Sequence, residues 1–544
     1  MAVRDGLLEA DVIVVGAGPV GLWLAAELRL GGATVTVLEK RIRRSEHSRA
    51  HTLHARTLEV FASRGLVGPW LEEGVEIPTT HYAMLSSRLD LSGLASDYPF
   101  VLFIPQVRTE ELLERHAIAT GVRVLRGLEV SDITVTDTGV SATAISPAGQ
   151  DGDQLELAGR YLVGCDGRRS IVRTASGIGY TGTEDALTCV MGDVRLEDDA
   201  VPPALTMHSE GGSFYAVRLD AARYRLVALE HATMSTPREA VLGLDEFRTT
   251  VSRLTGRDFG MRDPSWLTRV GSATFQADRY LQGRALLAGD AAHVHFPMGG
   301  QGLNLGIQDA MNLGWKLAAV ARLAAAPALL DTYEHERAPV GRAVIDDTLA
   351  QTGLIAVPGR EGQALRGMMT AALAENPALN AKLAVAAAGI DVQYPAAADA
   401  HPFVGRRVPN LPLPDGRDVF GLLRPGRFCV VGLPPAALAD HLGPEALAEL
   451  SVTPEGFAAA GQPWDRVGAA LIRPDGHLAW AVDRDGGVRP GDARAEGVAG
   501  AAGVAVAAGV AVAGGVAVAG GVAGAAGDAV AELLRWLPGL RPAG

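Results

Sequence analysis

The segment Gly16-Ala-Gly18-Pro19-Val20-Gly21 follows a short β-branched run, Asp11-Val-Ile-Val-Val15, and opens a stretch with helical patterning from about Val20 to Leu30. Glycines at that spacing have three separate tasks. One makes the tight turn, one lets a pyrophosphate approach the backbone, and one lets the helix lie close to the strand. The helix N-terminus then faces the phosphates with unpaired N–H groups and positive dipole. A second β-rich run, Thr34 to Leu38, ends at Glu39, where a carboxylate is placed to hydrogen-bond ribose hydroxyls. Alone, a GxGxxG is a weak signal. With the strand–turn–helix–strand context and the acid in place it specifies a dinucleotide site, leaving FAD or NAD open.

Two further motifs narrow that choice. Gly289-Asp290-Ala-Ala-His293 follows the apolar run Leu286-Leu-Ala288, and Pro297-Met-Gly-Gly-Gln-Gly302-Leu303-Asn304 then opens a second helical stretch. An Asp at a strand's C-terminal end suits the ribityl hydroxyls of FAD. The glycine-rich helix start would put N–H groups and positive dipole beside the flavin N1–O2 edge, where negative charge develops on reduction. Val163-Gly-Cys-Asp166-Gly167 precedes Arg168, Arg169 and Ser170. It reads either as a strand-to-helix turn capped by Asp166 or as a place where two arginines meet an anionic nicotinamide cofactor. The sequence has no second GxGxxG, so NADPH (or NADH) is expected as a transient co-substrate without a Rossmann unit of its own.

These motifs need a parallel sheet buried on both faces, which the first βαβ unit implies. The middle of the chain alternates apolar and polar residues over 187–196, 213–219 and 223–229, the pattern of antiparallel strands with one packed face and one facing solvent or ligand. The expected fold class is α/β: a Rossmann-type FAD-binding domain (1–175 and 279–395, the second part with helices), an antiparallel-sheet substrate domain (176–278) and a smaller C-terminal domain (400–544) after the Pro-rich boundary at 395–410. Residues 497–527 consist only of Gly, Ala and Val with a six-residue repeat at Gly503, Gly509, Gly515 and Gly521. Repeated glycine without Leu, Ile or Phe disfavours a membrane helix. The stretch reads as a flexible insertion in a surface loop.

Length and composition set the remaining bounds. A chain of 544 residues requires several cores. Its net charge of −13, with no basic cluster long enough to follow a phosphate backbone, excludes nucleic acid as an expected partner. Cys165, Cys189 and Cys429 are scattered and form no CxxC pair, so neither a disulfide framework nor a zinc site is expected. The start carries Arg4, Asp5 and Glu9 before a short apolar run, which is not secretory architecture; a cytoplasmic location without a membrane span follows. His293 and His295 lack a third ligand nearby and are expected to be structural or substrate-lining rather than metal-binding.

With these residues in view, the sequence resembles the single-component flavoprotein aromatic hydroxylases, the group containing para-hydroxybenzoate and phenol hydroxylases. It carries GAGPVG at 16–21, CDG at 165–167 and GDAAH at 289–293 in order. Further features, Leu-Arg-Leu-Gly-Gly at 28–32, Arg56-Thr-Leu-Glu and Asn312-Leu-Gly-Trp-Lys316, are similar to bacterial hydroxylases of aromatic polyketides and to rifampicin monooxygenases. The resemblance implies cofactor contacts from Lys40, Arg49, Gln106 and Val130 besides the motif residues, and a C-terminal domain resembling thioredoxin. That domain would be structural, because Cys429 stands alone. It also implies the reaction: hydride from NAD(P)H reduces FAD, O₂ adds at the flavin C4a, and the hydroperoxide delivers oxygen to an aromatic small-molecule substrate in a site that excludes water.

No catalytic residue is identified by this reading. His54, His81, Tyr215 and Tyr224 are possible pocket groups for deprotonating a phenol, and the sequence does not rank them. Three alternatives use the same fold: Baeyer–Villiger oxygenation of a polycyclic ketone, detoxifying oxidation of an aromatic antibiotic, and FAD kept for structure alone. A halogenase is disfavoured, since no two tryptophans have the Trp-x-Trp spacing of that family. Monomer and homodimer both remain open.

Overall fold

The computed structural model describes residues 3–4, 7–48, 50–146, 154–198, 201–220, 223–322, 324–439, 441–442, 444–448, 450–454, 456–457, 463–484 and 521–536. At its centre lies a parallel sheet. Strand Leu7–Val15 pairs with Val35–Glu39 on one side and Gln154–Gly164 on the other. Arg123–Arg126 extends the sheet beyond Val35–Glu39, and Ala285–Leu287 lies parallel to the end of Gln154–Gly164. An antiparallel hairpin, Glu129–Val135 and Val140–Ile145, pairs with the first half of Gln154–Gly164. Val12, Ile13, Val14, Leu162 and Val163 are fully buried, as β-branched and aliphatic runs must be when helices cover both faces.

Two helices converge on this sheet. The first, Pro19–Leu30, packs along Gln301–Ala321, which is buried almost all round. Their approach depends on absent side chains: a Cβ at Gly314 would lie 2.5 Å from Glu27 Cβ, and one at Gly306 2.5 Å from a Val20 methyl. Both helices therefore present their N-termini to the same side of the sheet.

The second layer is a five-stranded antiparallel sheet in the order Ala204–Ser209, Gly212–Arg218, Arg223–Glu230, Thr188–Arg195, Arg262–Gly271. Helix Leu244–Thr255 covers one face through Phe247 and Val251. The opposite face turns toward the parallel domain. Helices Asp331–Ala356, Gly359–Glu375 and Pro377–Ala388 close the side of the molecule.

The C-terminal module holds strands Ser451–Thr453, Cys429–Val431, Val467–Ile472 and Leu478–Asp483. It docks through an apolar seam, in which Trp315 meets Phe428 and Trp536, and through buried ions. Arg64 donates to both oxygens of Glu27 (2.8 and 2.7 Å) and to the carbonyls of Leu423 and Pro474. Glu336 accepts from Arg473 (2.7 and 2.8 Å) and Lys316 (2.8 Å). Such pairs contribute little net stability against an apolar equivalent, but losing one partner is costly.

The loop expectation at 497–527 needs correction at its end. Residues 497–520 lie outside the described residues, whereas 521–527 begin helix Gly521–Trp536. Ala526, Ala529, Val530 and Leu533 are buried there. The helix formers that follow Gly527 and the packing of this face outweigh the glycines' entropic cost. Among the described residues no helix is long and apolar enough to cross a membrane.

Candidate functional site

A cleft of about 600 Å³ runs from the glycine turn to the inner face of the antiparallel sheet. At one end the turn is built as its glycines require. Gly16 has φ 104°, and a Cβ there would meet the Cys165 carbonyl oxygen at 2.3 Å. A Cβ on Gly21 would sit 2.0 Å from the Gly16 oxygen, so the helix closes directly onto the turn. Gly18 has nothing within 4 Å and opens onto the cleft, as a backbone that receives a pyrophosphate must. Glu39 is fixed before any ligand arrives: its carboxylate accepts from the N–H groups of Ala17 and Arg41, both at 2.9 Å.

In the middle, Asp290 and the segment Pro297–Leu303 line the cleft. A Cβ on Gly302 would lie in ordinary contact, 3.8 Å, with an Asp290 oxygen, so the acid sits beside the helix N-terminus. Beneath it, buried Asp309 accepts from His293 Nε2 (2.6 Å), Arg337 Nε (2.8 Å) and Gly289 N (3.2 Å), anchoring the Gly-Asp turn to the long helix. His293 is thus structural. His295 lines the cleft with its Nε2 buried and unpartnered, and burial pulls its pKa down to about 4. An open phosphate approach, a fixed ribose acid, Asp290 facing the cleft and a helix N-terminus beside it form a set that fits FAD.

At the far end, Cys189 and Met191, Tyr215 and Val217, and Arg225 and Val227 project from three strands as i, i+2 pairs, joined by His81, Met84, Arg88 and Phe103. Arg225 is buried and paired with Asp193 (2.6 and 2.7 Å), and its guanidinium sits 4.9 Å over Trp266. The alternation of these strands is legible in the sequence, and His81 and Tyr215 are among its possible pocket groups, but which face turns inward is not. Period two marks both faces equally, and Arg88, Arg225 and Met191 carry no motif.

Of the cofactor contacts expected from sequence, Gly16, Gly18, Pro19, Val20, Glu39, Lys40, Gln106, Val130, Asp166, Asp290, Pro297, Gly302 and Leu303 come together as lining of this cleft. Gly21 lies behind the turn. The Asn304 side chain is turned behind the lining: its Oδ1 accepts from His54 N (2.8 Å) and Thr57 Oγ1 (2.7 Å), and its Nδ2 donates to the carbonyls of Thr52 and Gly300. Its side chain ties the helix start to residues 52–57. Arg49 lies outside the described residues. Asp166 accepts from the N–H groups of Ile171 (2.8 Å) and Val172 (3.4 Å), the capping arrangement. Arg168 is engaged by Glu184 at 3.1 Å, while Arg169 lines the cleft.

Of the four possible bases, His81 and Tyr215 line the cleft. His54 faces a small adjoining cavity of about 20 Å³ that shares Thr80, His81, Gly299 and Gln301 with the cleft. Tyr224 is remote from both, donating to Val201 O (2.8 Å) and accepting from Arg218 (2.7 Å). Among the described residues no group of three or more His, Cys, Asp or Glu is placed to hold a metal.

Comparison with known proteins matches residues 9–348 to the FAD binding domain family and residues 401–505 to the aromatic-ring hydroxylase C-terminal family. The chain is 39% identical over 483 residues to an uncharacterised aromatic compound monooxygenase of Bacillus subtilis (strain 168), covering 88% of this chain and 95% of that one. It is 39% identical to a rifampicin monooxygenase of Streptomyces venezuelae, covering 87% and 95%. Among solved structures, the anhydrotetracycline hydroxylase of Streptomyces rimosus superposes with a TM-score of 0.79 at 38% identity, covering 88% of this chain and 97% of that one.

Proposed function

The chain belongs to the FAD-dependent aromatic-ring hydroxylases, and from that premise we propose that it is an NAD(P)H-dependent monooxygenase that hydroxylates a polycyclic, polyketide-type aromatic. The observation that carries the reading is the continuity of one cleft from the dinucleotide turn to the apolar face of the antiparallel sheet. A flavin seated along it would present its ring where Met191, Val227, Phe103 and Tyr215 form the wall of a second compartment. Relatives that act on anhydrotetracycline and rifampicin support a fused-ring substrate.

When bound, FAD supplies acceptance of hydride from NAD(P)H and activation of O₂ for transfer of one oxygen atom. The chain's own residues bind and orient. Glu39 takes the ribose hydroxyls, Gly18 and the first helix N-terminus the pyrophosphate, and Asp290 the ribityl chain. The N-terminus of Gln301–Ala321 offers N–H donors and positive dipole to the electron-rich edge of the ring. Arg169, at the cleft wall, is available to an anionic nicotinamide cofactor. Met191, Val227 and Phe103 would limit water beside a bound flavin ring. We infer further that the C-terminal module is thioredoxin-like and purely structural: Cys429 is buried in its strand, and burial pushes its thiol up to about 12.

The test is a visible spectrum of the purified protein together with NADPH oxidation with and without a panel of aromatic polyketides. Flavin bands, substrate-stimulated NADPH use and a product heavier by one oxygen are expected. Product structure separates hydroxylation from ring insertion. A colourless protein that takes up no added FAD overturns the proposal.

A further inference from the structure

At the substrate end of the cleft, the short strands Thr79–His81 and Arg88–Asp90 pair as a hairpin. A loop joining such strands ordinarily runs over the surface, where water satisfies its backbone. Here Tyr82, Ala83, Met84 and Leu85 are all buried. Of the four non-glycine residues with positive φ among the described residues, two stand side by side in this loop, Ala83 at 49° and Met84 at 54°. A Cβ makes that left-handed conformation unfavourable, and it persists only where the surroundings over-determine it. Glycine at both positions would make the same turn without strain. What residue 84 adds is a side chain, and Met84 lines the cleft.

Side chains supply what holds the turn. A buried loop must find a partner for each N–H. The Ala83 N–H donates to Gln351 Oε1 at 3.0 Å, the Met84 N–H to His81 Nδ1 at 3.3 Å, and the Leu85 N–H to the Tyr82 carbonyl at 2.9 Å. Gln351 lies on the helix Asp331–Ala356, and its amide is oriented from behind: Nε2 donates to Asp347 Oδ2 at 2.8 Å, which leaves Oε1 for Ala83. The Tyr82 hydroxyl donates to the other Asp347 oxygen at 3.2 Å. Two residues one helical turn apart therefore grip the loop from outside. On the inner side, Met84 belongs to the apolar cluster that holds Cys189, Met191 and Val227 of the sheet together with Phe296 and Met298. Those five line the cleft with it.

We propose that Met84 is a specificity-determining residue, presented to the substrate's ring system by this strained turn, and that Gln351 is the positioning residue that keeps it there. A thioether is polarisable and gains from contact with an aromatic ring what it does not gain from a saturated ring of the same size. A methionine on a free backbone adapts to many shapes. Rooted in a clamped turn and packed in the cluster, this one holds its sulfur in one place, and it selects a flat ring over a puckered one. The assignment rests on the oxygenase reading above and adds the side chain that reads the substrate's flatness.

Equilibrium dialysis of the FAD-loaded protein tests it with two probes, 2-naphthol and 5,6,7,8-tetrahydro-2-naphthol, which share the phenol and differ in one flat or saturated ring. The readout is the ratio of their affinities, which a general loosening of the site leaves unchanged. Met84→Leu keeps the bulk and removes the sulfur; it should shift the ratio toward the saturated probe by about twofold to tenfold, the range of a sulfur–aromatic contact. Gln351→Leu removes the acceptor for Ala83 and should shift the ratio the same way. The double variant should shift it no further than Met84→Leu alone, because Gln351 acts through Met84. If Gln351→Leu does not fold, Tyr82→Phe, which cuts only the tie to Asp347, should give a smaller shift of the same sign. A ratio unchanged by Met84→Leu, or a Gln351→Leu shift that adds in full to it, overturns the proposal. A flavin-loaded protein that oxidises NADPH with aromatics yet fails this test sinks the Met84 assignment alone, whereas failure to take up FAD sinks the oxygenase reading.

Discussion

Replacing Gly18 and Gly21 separately by alanine separates the two tasks of the glycine turn. At Gly18 the backbone is ordinary, φ −76° and ψ 179°, and an added Cβ meets nothing within 4 Å. The cofactor-free fold should tolerate Gly18→Ala without loss. The methyl would stand where the pyrophosphate reaches the backbone, however, at the expense of one charge-assisted hydrogen bond of about 1.5–3 kcal/mol. FAD affinity should then fall about tenfold to a hundredfold. At Gly21 the Cβ would lie 2.0 Å from the Gly16 oxygen, so the helix must move away from the turn. Overpacking of that kind costs about 1–3 kcal/mol in the fold itself, and the displaced helix N-terminus loses the cofactor as well. The assay pairs thermal unfolding of the deflavinated proteins with FAD titration by fluorescence quenching. Gly18→Ala should melt with the parent and bind FAD weakly; Gly21→Ala should melt earlier and bind poorly. If Gly18→Ala binds FAD as tightly as the parent, the pyrophosphate does not pass there and the assignment of the turn fails.

Other perturbations address the frame around the site. Glu336→Gln removes the charge that Arg473 and Lys316 share in the interior; it should cost about 3–5 kcal/mol and loosen the C-terminal module first, seen as earlier limited proteolysis between 400 and 484. Asn304→Ala strands the Thr52 and Gly300 carbonyls and the His54 N–H, so both melting temperature and flavin retention should drop, whereas a mere surface contact would leave them unchanged. Acid should destabilise the cofactor-free protein between pH 6.5 and about 4. His54, His81 and His295 are held neutral by burial, with pKa values pulled down to about 4, so the unfolded chain binds more protons in that window and stability falls with pH. Each contributes at most about 1.4 kcal/mol per pH unit. Melting temperatures at pH 7, 6 and 5 check the sign, and a flat profile would contradict it.

What the sequence determined was local. Gly16 to Gly21, Glu39, Asp290 and Pro297 to Leu303 are legible because a turn, a cap or a helix start is decided by residues a few positions apart. Their spacing therefore carries the geometry with it. The apolar runs likewise announced a parallel core, since a strand buried on both faces has to be apolar throughout. The substrate end was of another kind. His81, Arg88, Met191, Tyr215 and Arg225 come from separate strands, and their convergence follows from strand register and from which sheet face turns toward the cleft, both fixed by non-local pairing. Asn304 shows the same limit within a motif. Its place in the helix start was evident, but packing against residues 52–57 turned its side chain away from the cleft. Tyr215 and Tyr224 lie on neighbouring strands and point to opposite faces of the sheet, which puts Tyr224 against Val201 and Tyr215 in the cleft. Local spacing wrote the cofactor turn into the sequence; only the assembled sheets decided what would face it, because side-chain direction depends on partners far away along the chain.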